Sequence, residues 1–272
     1  MIRRRLPWAL LVVLVLAQIC YPLTGGATRA GLTVATVVLG WLLSVGHALL
    51  SRGARTAGAL IAVATGGGFA IEAVGVATSV PFGSYDYSGE LGPKLAGVPL
   101  IIPLAWTWMA WPAWLAAVRL TPSRPGRIAL AAIGLATWDL FLDPQMVAEG
   151  YWVWRDATPA LPGLPGIPVS NYLGWLLFAV LLTAALRPLA GATADRADGR
   201  DAPMFALYLW TYFSSVLAHA VFLRLPASAV WGAVGMAVTA VPLAVTLRRA
   251  RRDGADRRQP HPAPRPGVDA AA

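Results

Sequence analysis

Eight apolar segments, each 17 to 23 residues long, recur along the sequence. A hydrocarbon layer of ~30 Å is crossed by roughly 17 to 25 mostly apolar residues in a helix that rises ~1.5 Å per residue. The pattern therefore predicts an all-α fold, a polytopic membrane helical bundle of about eight transmembrane helices. The predicted spans are 7–23, 30–51, 57–79, 98–118, 127–143, 171–187, 203–224 and 227–247.

The composition agrees with a membrane protein rather than a soluble one. Hydrophobic residues make up 57% of the 272 positions and charged residues 13%, which is about half the charged fraction of ordinary globular chains. Cys20 is the one cysteine, so a disulfide within the chain is excluded. The chain has three histidines, His47, His219 and His261, which are too few for multi-histidine iron sites. One cysteine and three histidines are also too few for zinc fingers.

The basic residues predict the orientation, because cytoplasmic loops near span ends are enriched in Lys and Arg. With a cytoplasmic amino terminus, 18 of the 22 Lys and Arg residues fall in cytoplasmic segments. The four outside are Arg29, Lys94, Arg155 and Arg224. We therefore expect both termini to be cytoplasmic, and we attribute the net charge of +9 to membrane topology rather than to nucleic-acid binding.

The chain divides at the end of the last span. Residues 1–247 are predicted to form the transmembrane helical domain, and 248–272, rich in Arg, Pro, Asp and Ala, a disordered basic cytoplasmic tail. The first span follows three arginines as a signal peptide would, but no small-x-small cleavage site follows it, which favours a retained anchor. The expected location is the cell membrane, with multiple passes.

Four polar residues lie near the outer ends of predicted spans. A charge at the centre of a bilayer costs about 2.5 to 3.5 kcal/mol on insertion scales, so Glu72 and Asp139 need an explanation. Asp143 follows Asp139 by one helical turn on the same face, before Pro144, which we expect to end the helix. His219 lies at a similar depth. These residues therefore indicate a polar site in the outer half of the bundle.

Structural explanations remain open for each of these residues. The carboxylates can reach the interface or pair with Lys94 or Arg155, and His219 can be a packed, hydrogen-bonded residue. Two carboxylates and a histidine can also bind a divalent ion, but their spacing matches no recognised ligand motif, so no metal site is predicted. His47, near the inner end of its span, is expected to be structural.

Tryptophan is abundant, with 12 residues. Interfacial belts and gap filling between helices account for many such residues. The alternative is an aromatic-lined slot whose ring faces stabilise a cation. Three consecutive glycines, 66–68, would allow another helix or a flat ligand to approach the third span closely. Four of the tryptophans crowd the fourth predicted span: Trp106, Trp108, Trp111 and Trp114.

Three stretches carry a family resemblance. They are PFGSYDYSGELGPKLAGVPLIIPLAW at 81–106, TWDLFLDPQMVAEGYWVW at 137–154 and PVSNYLGWL at 168–176. Together they cover about a fifth of the chain and resemble the carotenoid hydratase family of membrane carotenoid biosynthesis proteins, which includes the bisanhydrobacterioruberin hydratases. The resemblance implies an enzyme, a hydro-lyase, that adds water across a terminal C=C of an acyclic carotenoid to give a tertiary alcohol.

The residues suit that chemistry. Protonating a trisubstituted terminal alkene gives a tertiary carbocation, which needs a positioned acid but no metal, flavin or nicotinamide, so no cofactor is expected. We assign Asp139 or Asp143 as the acid, with Glu72 or the other aspartate positioning water. The other candidates, for substrate binding and cation stabilisation, are Tyr85, Tyr87, Lys94, Trp106, Trp138, Tyr151, Trp152, Asn171 and His219. Among these, Lys94 and Asn171 are expected to organise the outer loops.

The expected partners are a lipid-soluble carotenoid, the lipid bilayer, water and other carotenoid biosynthesis enzymes, with no nucleic acid. Two other readings stay open. A proton-initiated carotenoid cyclase or isomerase would share the acid but add no water. A non-catalytic carotenoid-binding membrane subunit would leave the pigment unchanged. A prenyl-adding elongase fits less well, because no second acidic motif accompanies Asp139 and Asp143.

Overall fold

Ten α-helices make up most of residues 2–256, the part of the chain that the computed structural model describes. A π-helical turn, Ile61–Gly66, joins α3 to α4, and another, Ala218–Phe222, continues α9. The helices are α1 Ile2–Cys20, α2 Gly26–Arg52, α3 Ala54–Leu60, α4 Gly67–Thr78, α5 Ile102–Leu120, α6 Arg124–Ala136, α7 Asp139–Ala148, α8 Val169–Ala190, α9 Ala202–Leu217 and α10 Pro226–Asp256.

Within these residues, seven helical segments are long and apolar enough to cross a membrane. They are Arg4–Leu23, Gly26–Arg52, Ala54–Thr78, Arg124–Ala148, Val169–Ala190, Gly199–Phe222 and Pro226–Asp253. The prediction of an all-α polytopic membrane bundle is confirmed. The remaining predicted span, 98–118, corresponds to α5, a helix of 19 residues whose four tryptophans and two prolines lower its mean hydropathy.

Helix α5 lies at the centre of the bundle, where 16 of its 19 residues are buried. It packs against α2, α6 and α9 among others, so little of it needs an apolar surface for lipid. Pro112 lies inside α5 and lacks the N–H that would otherwise donate to the Trp108 carbonyl. The Ser44 hydroxyl of α2 donates to that carbonyl instead, at 2.8 Å.

Loops predicted to lie on the same side of the membrane lie at the same end of the bundle. At one end, the Arg52 guanidinium donates to the Thr193 and Arg196 carbonyls, and Arg127 donates to the carbonyl of Asp195. At the other end, Arg29, in the first turn of α2, pairs with Glu149 of the loop that precedes α8. We call this second end, with loops 79–101 and 149–168, the long-loop end. Since α5 connects the two ends, residues 2–256 cross the bundle eight times.

Reporter fusions test which end faces the cytoplasm. A reporter placed after Arg200 or after Asp256 is expected to read cytoplasmic, because the arginine-rich segments lie at that end. A reporter placed after Gly163, in the long-loop end, is expected to read non-cytoplasmic. Opposite readings from Arg200 and Asp256 would contradict an even number of crossings.

Two predicted helix ends are wrong. Helix α7 continues past Pro144 to Ala148, because the Leu140 carbonyl that Pro144 leaves without its helical donor accepts a hydrogen bond from the Ser228 hydroxyl at 2.6 Å. Helix α10 continues past Leu247 to Asp256, so the first nine residues of the predicted disordered tail are helical. Residues 257–272 of that tail lie outside the described residues.

Four short strands lie in the loops of the long-loop end: β1 Tyr85–Tyr87, β2 Lys94–Leu95, β3 Val98–Pro99 and β4 Trp152–Trp154. Strands β2 and β3 form a small antiparallel hairpin. Strands β1 and β4 pair antiparallel and join the two long loops into one ribbon. The pairing holds two segments that are far apart in sequence over the same end of the bundle.

Candidate active site

The β1–β4 ribbon presents aromatic rings to the bundle. Tyr85 is paired with Trp154, and Tyr87 with Trp152. Successive side chains of a strand point to opposite faces, so these four rings share one face. All four line the cavity described below, while Asp86, between the tyrosines, is exposed and forms an ion pair with Arg155.

Glu72 of α4 is surrounded by hydrogen-bond donors. Its Oε2 accepts from the Tyr85 hydroxyl at 2.7 Å and the Tyr87 hydroxyl at 2.8 Å, and its Oε1 accepts from Trp106 Nε1 at 3.2 Å. Burial first, and then the adjacent Glu72 carboxylate, raise the pKa of Tyr85 and of Tyr87 well above the ordinary value of a phenol. Both phenols therefore stay protonated and remain donors. Three neutral donors fit a carboxylate that acts as an acceptor.

Asp139 and Asp143 are both buried and share one amide. Asn171 Nδ2 donates to Asp139 Oδ2 at 2.9 Å and also to Asp143 Oδ2. Trp152 Nε1 donates to Asp143 Oδ1 at 3.0 Å. Asp139 Oδ1 has no hydrogen-bond partner among the described residues. Each of these two carboxyls accepts fewer hydrogen bonds than Glu72 accepts, so each keeps an oxygen lone pair to which a proton can bind.

Among residues 2–256 no cation neutralises these carboxyls, since none of the three forms an ion pair there. The alternative pairing with Lys94 or Arg155 is wrong: Lys94 Nζ donates to the Tyr87 carbonyl at 2.5 Å, and Arg155 pairs with Asp86. An unpaired buried charge is costly. The burial of three carboxyls without a cation therefore favours states in which at least one of them is protonated or shares a proton with its neighbour.

Glu72 and Asp143 line the same cavity, at the long-loop end. Trp106 stacks on Trp175 with ring centroids 3.7 Å apart, and Trp138 meets Trp175 edge to face at 6.3 Å. All three rings line the cavity, whose volume is about 140 Å³. An engineered cavity of ~150 Å³ holds benzene. The space therefore suits one branched end of a long apolar molecule, with the remainder outside.

The glycine run of the third span allows this arrangement. A Cβ atom at Gly68 would lie 2.8 Å from the Trp106 ring, so the absence of a side chain lets Trp106 of α5 rest directly on α4. A Cβ at Gly67 would meet Phe178 at 3.3 Å. The predicted close approach to the third span is thus a side-chain contact from α5 and α8.

Four predicted site residues lie away from the cavity surface. Asp139 lies behind Asp143, and Lys94 is on the exposed side of the ribbon. Tyr151 is buried, and its carbonyl accepts from the Ser88 N–H at 2.8 Å. His219 is buried against Ser228 and Gln145, apart from the carboxyls with which it was considered as a metal site. Asn171, expected to organise loops, instead bridges the two aspartates.

Sequence reasoning missed several residues of the cavity, among them Trp175 and Gln145. Trp175 lies one helical turn after Asn171, so the i, i+4 spacing that joined Asp139 to Asp143 could have found it. Gln145 is a polar residue two positions after Asp143, and it contacts both the cavity and His219. Both lie within the stretches that carry the family resemblance.

The fold and the site define a class: an integral membrane helical bundle with buried carboxyl groups in an aromatic cavity, suited to an apolar ligand. The family model described as "Carotenoid biosynthesis protein" matches residues 32–241, and the chain belongs to this family. Bisanhydrobacterioruberin hydratase of Haloarcula japonica is 37% identical over 136 residues, which are 47% of this chain and 45% of that protein. The alignment thus spans less than half of the relative. No solved structure shows a significant match.

Proposed function

We propose that this protein is a carotenoid hydratase that adds water across a terminal C=C of an acyclic carotenoid. Its family and the hydratase relative support a role in carotenoid biosynthesis. The observation that carries the proposal is that Glu72 and Asp143 line one aromatic cavity in different hydrogen-bond environments. Glu72 is held as an acceptor, and Asp143 shares one of its two donors, Asn171, with the neighbouring acid Asp139.

In the first step, Asp143 acts as general acid. Its proton adds to the less substituted carbon of the terminal alkene, the π electrons form the new C–H bond, and a tertiary carbocation remains. Asp143 becomes a carboxylate that Asn171 and Trp152 stabilise by hydrogen bonds. The faces of Trp106, Trp138 and Trp175 stabilise the cation, because an aromatic face carries negative charge density.

In the second step, water captures the cation. The water oxygen forms the C–O bond, and the Glu72 carboxylate takes the released proton. Tyr85 and Tyr87 hold that carboxylate in place. Transfer of the proton from Glu72 back to Asp143 through water in the cavity restores the starting state. The net change is alkene plus water to tertiary alcohol, with no oxidant or reductant consumed.

Pigment analysis tests the proposal. Membranes from a host that makes acyclic carotenoids and expresses this protein, washed with EDTA and given no nucleotide, are expected to convert the carotenoid to a product heavier by one water. The host without the protein is the control. A cyclised or isomerised product of unchanged mass would contradict hydration. Bound but unchanged pigment would support the carrier alternative instead, and activity restored only by a divalent ion would contradict the cofactor-free chemistry.

A further inference from the structure

The cavity has a second half that the proposed chemistry does not use. It is built from the ends of α1, α2 and α9 and from α7, and we call it the polar arm. Its polar side chains are all uncharged. They are Gln18, Tyr21, Thr33, Thr36, Gln145, Thr211, Ser214 and Ser215.

Three buried polar atoms, each on a residue that lines this cavity, have no hydrogen-bond partner within residues 2–256. They are the Tyr21 hydroxyl, the Thr211 hydroxyl and Trp108 Nε1, on side chains that are 7%, 2% and 5% exposed. A buried donor or acceptor without a partner is unfavourable, and an apolar chain in the arm would leave the Tyr21 and Thr211 hydroxyls unpaired. Water would satisfy them. Polar, roomy sites with two or more such groups are the ones that hold water in proteins.

The nearby threonines can join such a water cluster. The Thr33 hydroxyl donates to the Arg29 carbonyl, and the Thr36 hydroxyl to the Thr33 carbonyl, both at 3.0 Å. Each hydroxyl oxygen keeps lone pairs that can accept from water. At the outer part of the arm, the part-exposed residues Pro22 and Leu223 belong to the long-loop end.

Gln145 is oriented by a chain of hydrogen bonds that starts at Pro144. The Ser228 hydroxyl donates to the Leu140 carbonyl, so its oxygen is free to accept from His219 Nδ1–H, 2.9 Å away. In that tautomer His219 Nε2 is an acceptor, and the atom 3.2 Å from it is Gln145 Oε1, which cannot donate. A half-turn of the amide places its N–H₂ toward Nε2 and its carbonyl oxygen away from His219, where it can accept from water.

We propose that the polar arm holds the water that captures the carbocation, with Gln145 as a positioning residue. This proposal rests on the proposed hydratase function. A water that donates one hydrogen to the Gln145 oxygen and is held by the arm keeps a lone pair for the cation. The arm lies at the end of the cavity formed by α1, α2 and α9, while the aromatic half receives the alkene, so water and substrate approach from different sides.

A first experiment asks whether the arm is wet, independently of activity. In a Cys20→Ser background, Thr211→Cys is treated with Ag⁺ in intact membranes, and the remaining thiols are labelled with a maleimide after denaturation. Loss of labelling is expected, because Ag⁺ reaches a thiol that water reaches. Thr183→Cys is the matched control, a buried position on α8 whose hydroxyl donates to the Ala179 carbonyl at 2.8 Å. If Ag⁺ treatment reduced maleimide labelling of Thr211→Cys no more than that of Thr183→Cys, the proposal would be overturned.

A second experiment uses D₂O to separate protonation from water capture. In D₂O, Asp143 delivers a deuteron to the alkene. When capture by water is slow, the cation can lose a protium instead, and the recovered alkene then keeps the deuterium. The double variant Tyr21→Phe/Thr211→Val is expected to lower hydration by about 5- to 10-fold while deuterium in the recovered substrate rises. Tyr208→Phe/Thr183→Val is the matched control, with both side chains buried away from the cavity.

The outcomes separate the two proposals. Unchanged hydration, or hydration and deuterium uptake that fall together, would overturn the water role of the arm. Tighter substrate binding by the more apolar double variant would assign the arm to the hydrocarbon chain instead. A wild-type protein that neither hydrates nor exchanges would overturn the hydratase function, while the Ag⁺ result would still decide whether the arm holds water.

Discussion

Replacing Asp143 with asparagine is expected to lower hydration by about 100- to 10,000-fold, the range typical of a lost general acid. Asparagine is nearly isosteric and can still accept from Trp152 Nε1, but it has no carboxylic proton to give. The protein should still reach the membrane, because removing a buried acid lowers the cost of insertion. The measurement is the initial rate of product formation in membranes that contain equal amounts of each variant.

Asp139→Asn separates the acid from its neighbour. Asp139 lies behind Asp143 and shares Asn171 with it, so its replacement is expected to reduce the rate less. In D₂O, Asp143→Asn should also lose deuterium uptake into recovered substrate, because the cation no longer forms. A larger loss in Asp139→Asn than in Asp143→Asn would identify Asp139 as the acid. Hydration within a few-fold of wild type in both variants would make the pair structural.

Glu72→Gln is expected to cause a loss of similar size, again about 100- to 10,000-fold, but with a different signature. The variant keeps Asp143, so the alkene can still be protonated, but no carboxylate takes the proton from the attacking water. Glutamine also places an N–H₂ group among three donors, where Glu72 offers only acceptors. We therefore expect hydration to fall while deuterium continues to enter the recovered substrate.

Glu149→Gln is the matched control for this variant. Glu149 lies at the same end of the bundle but pairs with Arg29, away from the cavity. It should hydrate substrate at close to the wild-type rate. If Glu72→Gln lost deuterium uptake together with hydration, Glu72 would belong to the proton-donating step or to the folding of the site. If it kept both activities, the base would have to be sought elsewhere.

The spans and the polar layer were predictable from the sequence because each depends on local composition. A run of apolar residues long enough to cross a bilayer must be helical in lipid, whatever its neighbours are. A buried acid such as Glu72 or Asp139 stands out because it opposes that composition. The motif stretches pointed to the family, which the match over residues 32–241 shows.

The wrong prediction at Pro144 shows how a partner distant in sequence can change a local outcome. Pro144 does not end α7, because Ser228 supplies the missing donor to Leu140. Lys94 was a candidate for the site, but it supports the Tyr87 backbone from the exposed side.

Periodicity along one chain places Asp139 and Asp143 on a common helix face, as the sequence predicts. Which of them faces the cavity depends on how α7 is rotated against α8 and the ribbon, and this is a matter of packing. The bridging of both aspartates by Asn171, the three donors on Glu72 and the stacking of Trp106 on Trp175 are contacts between separate elements. Composition and spacing describe one element at a time, so the sequence could nominate candidate residues, while the packing of the helices decided which of them meet and in what geometry.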